Sequence, residues 1–464
     1  MRLSCCIVKP IDRIRDAVGV ELARGARLVT KLTRSGQGSS LPGVVVEAVS
    51  PGFMGRRAST IPGGVVLISG TNGKTTTASM IRTILRAEGD ETIGNDTGAN
   101  LRQGIASSLL DRSSRARTAV FEVDEATLVS VVPALRPRLL VLTNVFRDQL
   151  DRFGEIERVV QLLRRSCELL PEGATVVANV DDPLLWPALA DHHPVGFGVV
   201  LSRDLAEHAA ATGSPGVEAE VCPLCGERLL YESRTIAHLG VARCSKCSWH
   251  SSAPDYQALV LAREGLRSVT LEIAGCSIVL GTGGVHNAYN AVASVAAADL
   301  LGVPPARAAT ALSSFRPRFG RAEEMRVDGR SVWLALMKNP GAADALIGEI
   351  AGDPSVGSVV VAVNDASADG RDISWIWDVD FERLAVAGLP LVPSGNRASD
   401  VAVRLKYAGG SPEAERRAPL EAIAASLAAC PPDRSPVVLA TYTAMLDVRS
   451  AVGGRNQRLT DVPA

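Results

Sequence analysis

The segment from Val65 to Thr77, VVLISGTNGKTTT, constrains what this chain can fold into more than any other part of it. Its leading apolar residues predict a buried strand, the glycines predict a loop, and the polar residues after them predict the start of a helix. Backbone N–H groups of such a loop can surround a phosphate, and the helix N-terminus adds partial positive charge. Lys74 is placed to reach the β- and γ-phosphates of a nucleotide and Thr75 to hold Mg²⁺; the alternative is a glycine-rich turn before an ordinary helix. The residues predicted to bind the nucleotide are Gly70, Thr71, Asn72, Gly73, Lys74, Thr75 and Thr76.

The loop is shorter than the general phosphate-binding loop. Only Thr71 and Asn72 separate Gly70 from Gly73, whereas the general pattern has four residues between its first glycine and GK[ST]. The form GTNGKTTT is similar to that of the Mur ligase family, whose members use ATP to join an amine to a carboxylate during cell-wall synthesis. This resemblance implies a central ATP-binding domain with a parallel sheet, and ATP and Mg²⁺ as cofactors.

Length and composition set the general class. A chain of 464 residues predicts about three domains, and 46% hydrophobic with 21% charged residues allows a sizeable core. The net charge of -1 gives no indication of nucleic-acid binding. No apolar run predicts a transmembrane helix, and charges interrupt the N-terminal segment, which is therefore not a signal peptide. We expect a cytoplasmic protein whose nine cysteines form no disulfide framework.

The N-terminal segment, residues 1–60, predicts an amphipathic helix from Ile11 to Leu32 and then a Gly/Ser/Pro-rich link, SGQGSSLPGVVVEAVSP. We expect this helix to pack against the next domain, and peripheral contact with a membrane surface is the alternative.

Residues 61–314 predict an α/β central domain, because apolar strands alternate with helical stretches. Ligands of a parallel sheet bind at the carboxyl ends of its strands, and the polar motifs fall at those ends. The candidate strands are Val65–Ile68, Thr118–Val123, Leu139–Thr143 and Thr175–Ala178.

Polar motifs follow these strands. Glu122 ends a strand beside the P-loop, where a magnesium ligand belongs together with Thr75. Asp124 and Glu125 after it are either further ligands or solvated acids that start a helix. The loop from Gly94 to Leu101 is either a plain loop or a substrate-binding loop.

Two further segments gain a role from the family resemblance. GVHNAYN, residues 284–290, is similar to the family's nucleotide-side motif, which implies that His286, Asn287 and Asn290 contact ATP. FGRAE, residues 319–323, is similar to the family's domain junction and places Arg321 against the γ-phosphate when the domains close. A structural histidine and an arginine in a hinge loop are the alternatives.

The chain also departs from ordinary Mur ligases. Gln149 stands where most members have a metal-binding histidine, and residues 160–165, VQLLRR, lack the lysine that those members carbamylate. Lys338 lies where they have an aspartate-containing segment. The resemblance therefore implies a variant without the usual second metal site or the usual site for an amino acid's ammonium group.

Four cysteines in the central domain have the spacing of a zinc ribbon. Two C-x2-C pairs are separated by eighteen residues within an insertion at about residues 215–255. Four thiolates close a tetrahedral site, so we expect structural rather than catalytic Zn²⁺. The predicted ligands are Cys222, Cys225, Cys244 and Cys247.

Residues 315–464 predict a smaller α/β C-terminal domain, with strands at Val332–Leu336, Ser358–Val363, Leu391–Pro393 and Val437–Tyr442. Its segments KNP (338–340), NDASADGRDISWIWD (364–378) and SGNRASDVAVRLKYAGG (394–410), taken with the insertion, resemble the MurT-type branch of the Mur ligase family. The resemblance covers nearly the whole chain from about residue 40.

This closer resemblance implies an enzyme that amidates the α-carboxylate of D-glutamate in the lipid II stem peptide through an acyl phosphate. The ammonia comes from a separate GatD-type glutamine amidotransferase, and the two subunits form a heterodimer. The MurT-type subunit is understood to supply an aspartate to the partner's Cys–His pair, for which Asp369 is the first candidate, followed by Asp372 and Asp365. The alternatives are an amino-acid-adding ligase of the Mur or folylpolyglutamate type, and a catalytically inactive nucleotide-binding scaffold.

Overall fold

The computed structural model describes residues 10–32, 40–95, 99–110, 116–147, 156–212, 218–316 and 321–460. Its helices are α1 Pro10–Leu32, α2 Leu41–Val49, α3 Phe53–Ala58, α4 Lys74–Ala87, α5 Arg102–Leu110, α6 Glu125–Leu135, α7 Ile156–Glu168, α8 Trp186–Leu189, α9 Arg203–Thr212, α10 Val285–Leu300, α11 Pro305–Leu312, α12 Pro340–Ala351, α13 Glu382–Val386, α14 Ala398–Tyr407, α15 Pro419–Ala429 and α16 Tyr442–Thr460. Short 3-10 turns cover Pro183–Leu185 and Ser374–Asp378.

The strands are β1 Val65–Ser69, β2 Glu91–Ile93, β3 Ala116–Glu122, β4 Leu139–Leu142, β5 Thr175–Asn179, β6 Val195–Leu201, β7 Leu229–Ile236, β8 Leu239–Cys244, β9 Tyr256–Glu264, β10 Ser268–Ile273, β11 Cys276–Leu280, β12 Arg321–Val327, β13 Arg330–Leu336, β14 Val356–Ala362, β15 Leu391–Ser394 and β16 Ser435–Ala440. The predicted strands all occur, displaced by at most two residues at either end. The predicted last strand is the least accurate at its end, because Tyr442 begins α16 and β16 ends at Ala440.

The larger sheet of the described chain has nine strands in the order β11-β10-β9-β6-β5-β4-β1-β3-β2. The seven strands from β2 to β9 in this order are parallel, β10 is antiparallel to β9, and β11 is antiparallel to β10. β1 lies between β3 and β4 with Ile68 opposite Glu122 and Ser69 opposite Leu142. The register therefore brings the P-loop, Glu122 and the segment after β4 to the same edge.

Both faces of this sheet are covered, which explains the continuous apolar runs of its central strands. Helices α4 and α10 pack on one face, and α3, α5 and α6 pack on the other. Every residue of β1 is buried. The α/β fold with a parallel central sheet is thus confirmed.

The predicted link before the central domain is wrong in part, because Leu41–Val49 forms α2. Pro42 lies in the first turn, where a missing N–H costs nothing. Gly43 packs so closely on α5 that an added Cβ would lie 1.9 Å from the Gln103 carbonyl oxygen. The glycine and proline thus serve a helix contact rather than a flexible linker.

The smaller sheet belongs to the C-terminal part and has the order β12-β13-β16-β14-β15. β13, β16, β14 and β15 are parallel, and β12 is antiparallel to β13. Within the described ranges, no helix combines the length and apolar content that crossing a membrane requires.

Candidate active site

The P-loop turns tightly between β1 and α4. Gly70 and Gly73 have φ angles of 121° and 88°, which glycine adopts readily. A Cβ at Gly70 would lie 2.4 Å from Thr143 Oγ1, and a Cβ at Gly73 would lie 2.2 Å from Asn290 Oδ1. Both glycines are therefore required by close contacts with the segment after β4 and with α10. The loop ends at the first turn of α4, to which Lys74, Thr75 and Thr76 belong.

Lys74 lies against its own loop and a buried acid. Its Nζ donates to the Gly70 carbonyl at 2.5 Å and to Glu125 Oε1 at 2.9 Å. Glu125 is buried, and Asp124 is buried as the N-cap of α6, where its side chain accepts from the Ala126 N–H. The suggestion that these two acids are solvated is therefore wrong, because the first faces the P-loop lysine and the second caps a helix.

Glu122 has the environment of a metal ligand. The side chain is buried, and its Oε2 has no hydrogen-bond partner among the residues that the structure describes. Its backbone is fixed by Asn95, whose amide side chain bonds both the N–H and the carbonyl of Glu122. A buried carboxylate oxygen without a donor is costly unless a cation binds it, so Glu122 fits Mg²⁺.

Helix α10 brings the predicted nucleotide-side residues to the P-loop. Asn290 Oδ1 accepts from Thr77 Oγ1 at 3.2 Å, and its amide nitrogen donates to Asn287 Oδ1 at 3.1 Å. Asn287 in turn lies 3.1 Å from His286 Nε2. The P-loop and these three side chains therefore form one wall of polar groups.

The C-terminal part contributes to the same site through residues that sequence reasoning did not place there. Lys338 Nζ donates to the Thr71 carbonyl at 2.8 Å, and Asn339 Nδ2 donates to Asn72 Oδ1 at 3.1 Å. Asn339 also caps α12 by accepting from the Ala342 N–H. The KNP segment thus lies directly on the P-loop.

A cavity lies between these walls. The residues that line it from the central domain are Asn72, Gly73, Thr76, Asn144, Phe146, Ile236, Leu239, Leu266, Thr282, Gly283, His286, Asn287, Tyr289 and Asn290. The C-terminal part contributes Ala322, Ala335, Leu336, Lys338, Gly341, Ala342, Ala345 and Leu346. Its combination of an apolar interior and a polar rim at the P-loop suits a nucleoside with a phosphate tail.

The structure does not describe every position that the sequence indicates. Gln149, residues 96–98 of the glycine-rich loop and the side chain of Arg321 are outside the described residues; Arg321 itself begins β12. Arg164 and Arg165, in the stretch that lacks a lysine, are exposed and pair with Glu168. This part of α7 therefore faces solvent at those two positions.

The four predicted metal ligands come together. Their sulfur atoms all lie within 4.8 Å of one another, with Sγ–Sγ distances of 3.6 Å for Cys222–Cys247 and 3.5 Å for Cys225–Cys244. Zn–S bonds of about 2.3 Å in a tetrahedron require sulfur atoms about 3.8 Å apart, so the cluster fits zinc. The Cys247 N–H also points at the Cys244 sulfur, at an N–Sγ distance of 3.3 Å, and such a donor stabilises the thiolate form that a metal needs.

The three candidate aspartates lie in the loop after β14 and differ in their surroundings. Asp369 accepts hydrogen bonds from the Thr443 N–H, at 2.7 Å, and from the Thr443 hydroxyl. Asp365 accepts from Asn396 Nδ2 at 2.6 Å. Asp372 is exposed, and the Ser374 N–H lowers its pKa. None of the three lines the cavity at the P-loop.

The parallel sheet, the short P-loop and the second α/β unit that lies on it define a ligase of the Mur type. A solved pseudomurein peptide ligase type C from Methanothermus fervidus has the same fold, with a TM-score of 0.66 and 21% identity over 84% of this chain and 78% of that one. The family model described as Mur ligase middle domain matches residues 68–214, and the MurT ligase C-terminal model matches residues 336–445.

Curated relatives narrow the family further. The chain is 33% identical to the protein named lipid II isoglutaminyl synthase (glutamine-hydrolyzing) subunit MurT of Streptococcus pneumoniae, over 95% of this chain and 98% of that protein. It is 30% identical to the protein of the same name in Staphylococcus aureus, over 85% of this chain and 88% of that one. The chain therefore belongs to the MurT family.

Proposed function

We propose that this chain is the ligase subunit of a lipid II isoglutaminyl synthase. It binds ATP·Mg²⁺ and transfers the γ-phosphoryl group to an oxygen of the D-glutamate α-carboxylate in the stem peptide, which releases ADP. Ammonia attacks the carbonyl carbon of the acyl phosphate, the C–O bond to phosphate breaks, and phosphate leaves as the D-isoglutamine amide forms. The observation that carries the proposal is the meeting of Lys74 and Lys338 at the P-loop, in a chain that belongs to the MurT family.

The site residues have separate tasks in this reaction. Lys74 and the N–H groups of the P-loop hold the β- and γ-phosphates, and Asn287 and Asn290 position the nucleoside side. Glu122 and Thr75 hold Mg²⁺, which neutralises phosphate charge when bound. Lys338 supplies a second cation where charge develops during transfer, so catalysis rests on positioning and charge neutralisation.

The proposed nucleophile is ammonia rather than an amino acid. Ordinary Mur ligases, as the sequence comparison implied, have an acid where this chain has Lys338. A lysine at that place repels an incoming ammonium group but attracts a carboxylate and its phosphate. This inversion of charge favours a reaction in which the only nitrogen reactant is small and neutral.

The ammonia is proposed to come from a GatD-type partner, with Asp369 directed at that partner's histidine. A triad carboxylate must be held in a fixed orientation, and Thr443 holds Asp369 with two hydrogen bonds. The exposed Trp377 and Tyr407 lie on the same domain, with their rings 5.5 Å apart. Exposed aromatic side chains of this kind are common in protein interfaces, so we place the partner on this side.

The four-cysteine cluster is proposed to hold structural Zn²⁺. Four sulfur ligands leave no position for a reactive water, and the ribbon core around the cluster is small. The metal therefore supplies folding energy rather than chemistry.

Peripheral membrane contact through α1 is part of the proposal, because the substrate carries a lipid. One face of α1 packs on α2 through Val20 and Ala23. The opposite face exposes four apolar side chains to between 49% and 64%, and such a row of exposed apolar residues suits a membrane surface. These side chains are Ile11, Ile14, Val18 and Leu22.

Sedimentation with vesicles of anionic phospholipid tests this contact. The wild-type chain should co-sediment, and Ile14→Asp should stay in the supernatant. Val386→Asp, which changes an apolar residue of the C-terminal domain that is 89% exposed, is the matched control and should still sediment. Equal sedimentation of all three proteins would contradict the contact.

Product mass tests the reaction and separates it from its alternatives. The chain is incubated with ATP, Mg²⁺ and lipid II, with glutamine or ammonium, and with or without the GatD-type partner. Replacement of one OH by NH₂ with ammonium alone, and with glutamine only when the partner is present, supports the proposal. A mass gain of an amino-acid residue would favour a conventional amino-acid-adding ligase, and bound ATP without any product would favour a scaffold.

A further inference from the structure

The β7–β8 hairpin of the four-cysteine insertion has its two ends in different hydrophobic cores. Its open end contributes Leu229, Ala242 and Cys244 to the small ribbon core, where Trp249 covers them. Its closed end contributes Ala237 and Leu239 to the core of the central domain. The hairpin therefore connects the metal cluster mechanically to the body of the enzyme.

The closed end forms part of the nucleotide cavity. Ile236 and Leu239, which pair across the turn, both line the cavity together with His286 and Asn290 of α10. These are the two apolar side chains that the insertion places there. Part of the cavity wall is thus built by a segment that also carries a predicted metal ligand, Cys244, at the end of β8.

Polar contacts fix this end of the hairpin to the nucleotide-side helix. The Gly240 N–H donates to the Asp181 carbonyl at 2.9 Å, and the Tyr289 hydroxyl donates to Asp181 Oδ2 at 2.8 Å. Thr235 Oγ1 lies 2.5 Å from the same tyrosine hydroxyl. Tyr289 belongs to α10, so a displacement of the hairpin is transmitted to the helix that bears His286 and Asn290.

The turn itself is buried, which is unusual for a hairpin tip. His238 is 0% exposed, its ring lies 4.6 Å from that of Phe146, and its Nε2 lies 3.2 Å from Asp182 Oδ1. A two-stranded hairpin is marginally stable without further support. Its open end obtains that support from the cluster, because the sulfur atoms of β8 and of the loop before β7 come together there.

We propose that the β7–β8 hairpin is the adenosine-side wall of the nucleotide cavity and that Zn²⁺ at the four cysteines sets the affinity for ATP by holding this wall in place. The inference rests on the proposed function in one respect, namely that ATP occupies the cavity. Bound metal fixes the open end of the hairpin, and the paired strands in turn fix Ile236 and Leu239 at the closed end. The nucleoside packs against these two side chains. The linkage is reciprocal, so bound nucleotide must also raise the affinity for zinc, and we expect the tighter binding to appear as slower zinc release.

Nucleotide affinity of hairpin variants tests the wall directly. Titrations of the zinc-loaded full chain with ATP·Mg²⁺ compare wild type, Ile236→Ala and Leu239→Ala. Val241→Ala is the matched control, because this residue lies on the same strand but is 39% exposed and outside the cavity. We expect both cavity variants to lose about tenfold in affinity, from the apolar contact that each gives up, and Val241→Ala to bind like wild type. Zinc content and melting temperature of each variant exclude simple unfolding.

The rate of zinc release to a coloured chelator tests the coupling in the opposite direction. We expect saturating ATP·Mg²⁺ to slow release from wild type at least severalfold and to have less effect on Ile236→Ala. Equal ATP affinities in all four proteins, or a rate of zinc release that is the same with and without nucleotide, would overturn the inference. Neither result would contradict the proposed reaction. If zinc-loaded wild type did not bind ATP, the proposed function would fail first and the inference with it.

Discussion

Lys338 Nζ donates a hydrogen bond of 2.8 Å to the carbonyl of Thr71, which places a lysine of the C-terminal domain on the P-loop of the central domain. Lys74 Nζ approaches the same carbonyl at 3.3 Å. Lys74 also pairs with Glu125 at 2.9 Å, so Lys338 adds a second ammonium group to a lysine–carboxylate pair at the P-loop. This extra cation lies in a chain that lacks the lysine which ordinary Mur ligases carbamylate to hold a second metal ion.

Replacement of Lys338 by alanine should therefore slow the chemical step more than it weakens nucleotide binding. We expect ammonium-dependent amidation to fall about 100- to 1,000-fold, the usual effect of losing one charge-stabilising group. Lys406→Ala, which removes an exposed lysine of α14, is the control and should keep full activity. Single-turnover rates measured beside ATP affinity check the prediction, and an unchanged rate for Lys338→Ala would contradict the role.

Asp369→Asn should separate the two nitrogen sources. If Asp369 orients the partner's histidine, glutamine-driven amidation in the complex should fall about a thousandfold, while ammonium-driven amidation should be unaffected. Asp372→Asn, at an exposed position in the same loop, should change neither rate. If Asp372→Asn lost glutamine-driven amidation and Asp369→Asn kept it, Asp372 would be the residue that serves the partner. If Asp369→Asn also lost ammonium-driven amidation, a role limited to the partner would be excluded.

Glu122→Gln should raise the magnesium requirement. An amide oxygen is a poorer ligand than a carboxylate, so we expect the Mg²⁺ concentration for half-maximal activity to rise at least about tenfold. The exposed Glu172→Gln serves as control. Magnesium titrations at saturating ATP provide the measurement. A normal magnesium curve with Glu122→Gln would show that the buried oxygen has another use.

Asp181 predicts a pH dependence of stability. Burial raises its pKa from 3.8 to about 6. Between these two values the folded chain binds this proton more tightly than the unfolded chain, so the contribution of Asp181 to stability falls as pH rises. From pH 5 to pH 7 this contribution should decrease by about 1 kcal/mol.

Denaturant unfolding of wild type and Asp181→Asn across that range measures the difference, with the zinc site kept loaded. As pH rises, the free energy of unfolding of wild type should fall relative to that of Asp181→Asn. Asp204→Asn, at an exposed carboxylate, should follow wild type at every pH. Parallel curves for wild type and Asp181→Asn would show that this carboxyl does not titrate in the range.

Much of the fold could be predicted because local sequence determines it. The central strands are buried on both faces, so they are continuous apolar runs, and the polar residues after them fall at the functional edge. Glu122 and Lys74 are placed by that rule. The cysteine spacing likewise predicted a cluster, since two C-x2-C turns can present four sulfur atoms to one ion.

Contacts between distant segments could not be predicted in this way. Lys338 and Thr71 are 267 positions apart, and nothing in either segment indicates that they touch. Ile236 and Leu239 belong to an insertion for which the sequence predicts only a metal site, yet they line the cavity. The helix at Leu41–Val49 was missed because Pro42 and Gly43 also suit a link, and tertiary packing decided between the two. The rarity of lysine singles out Lys338, which is one of only six in the chain, but rarity does not identify the residue that it contacts.

In the proposed reaction the chain activates a stem-peptide carboxylate by phosphoryl transfer, and ammonia displaces the phosphate. The most direct measurement uses lipid II labelled with ¹⁸O in the D-glutamate α-carboxylate, with ATP, Mg²⁺ and ammonium, and follows the label by mass spectrometry. We predict that each amide formed leaves one ¹⁸O atom in inorganic phosphate, with the other retained in the amide. Amidation with no ¹⁸O in the phosphate, or with the label in AMP, would contradict it.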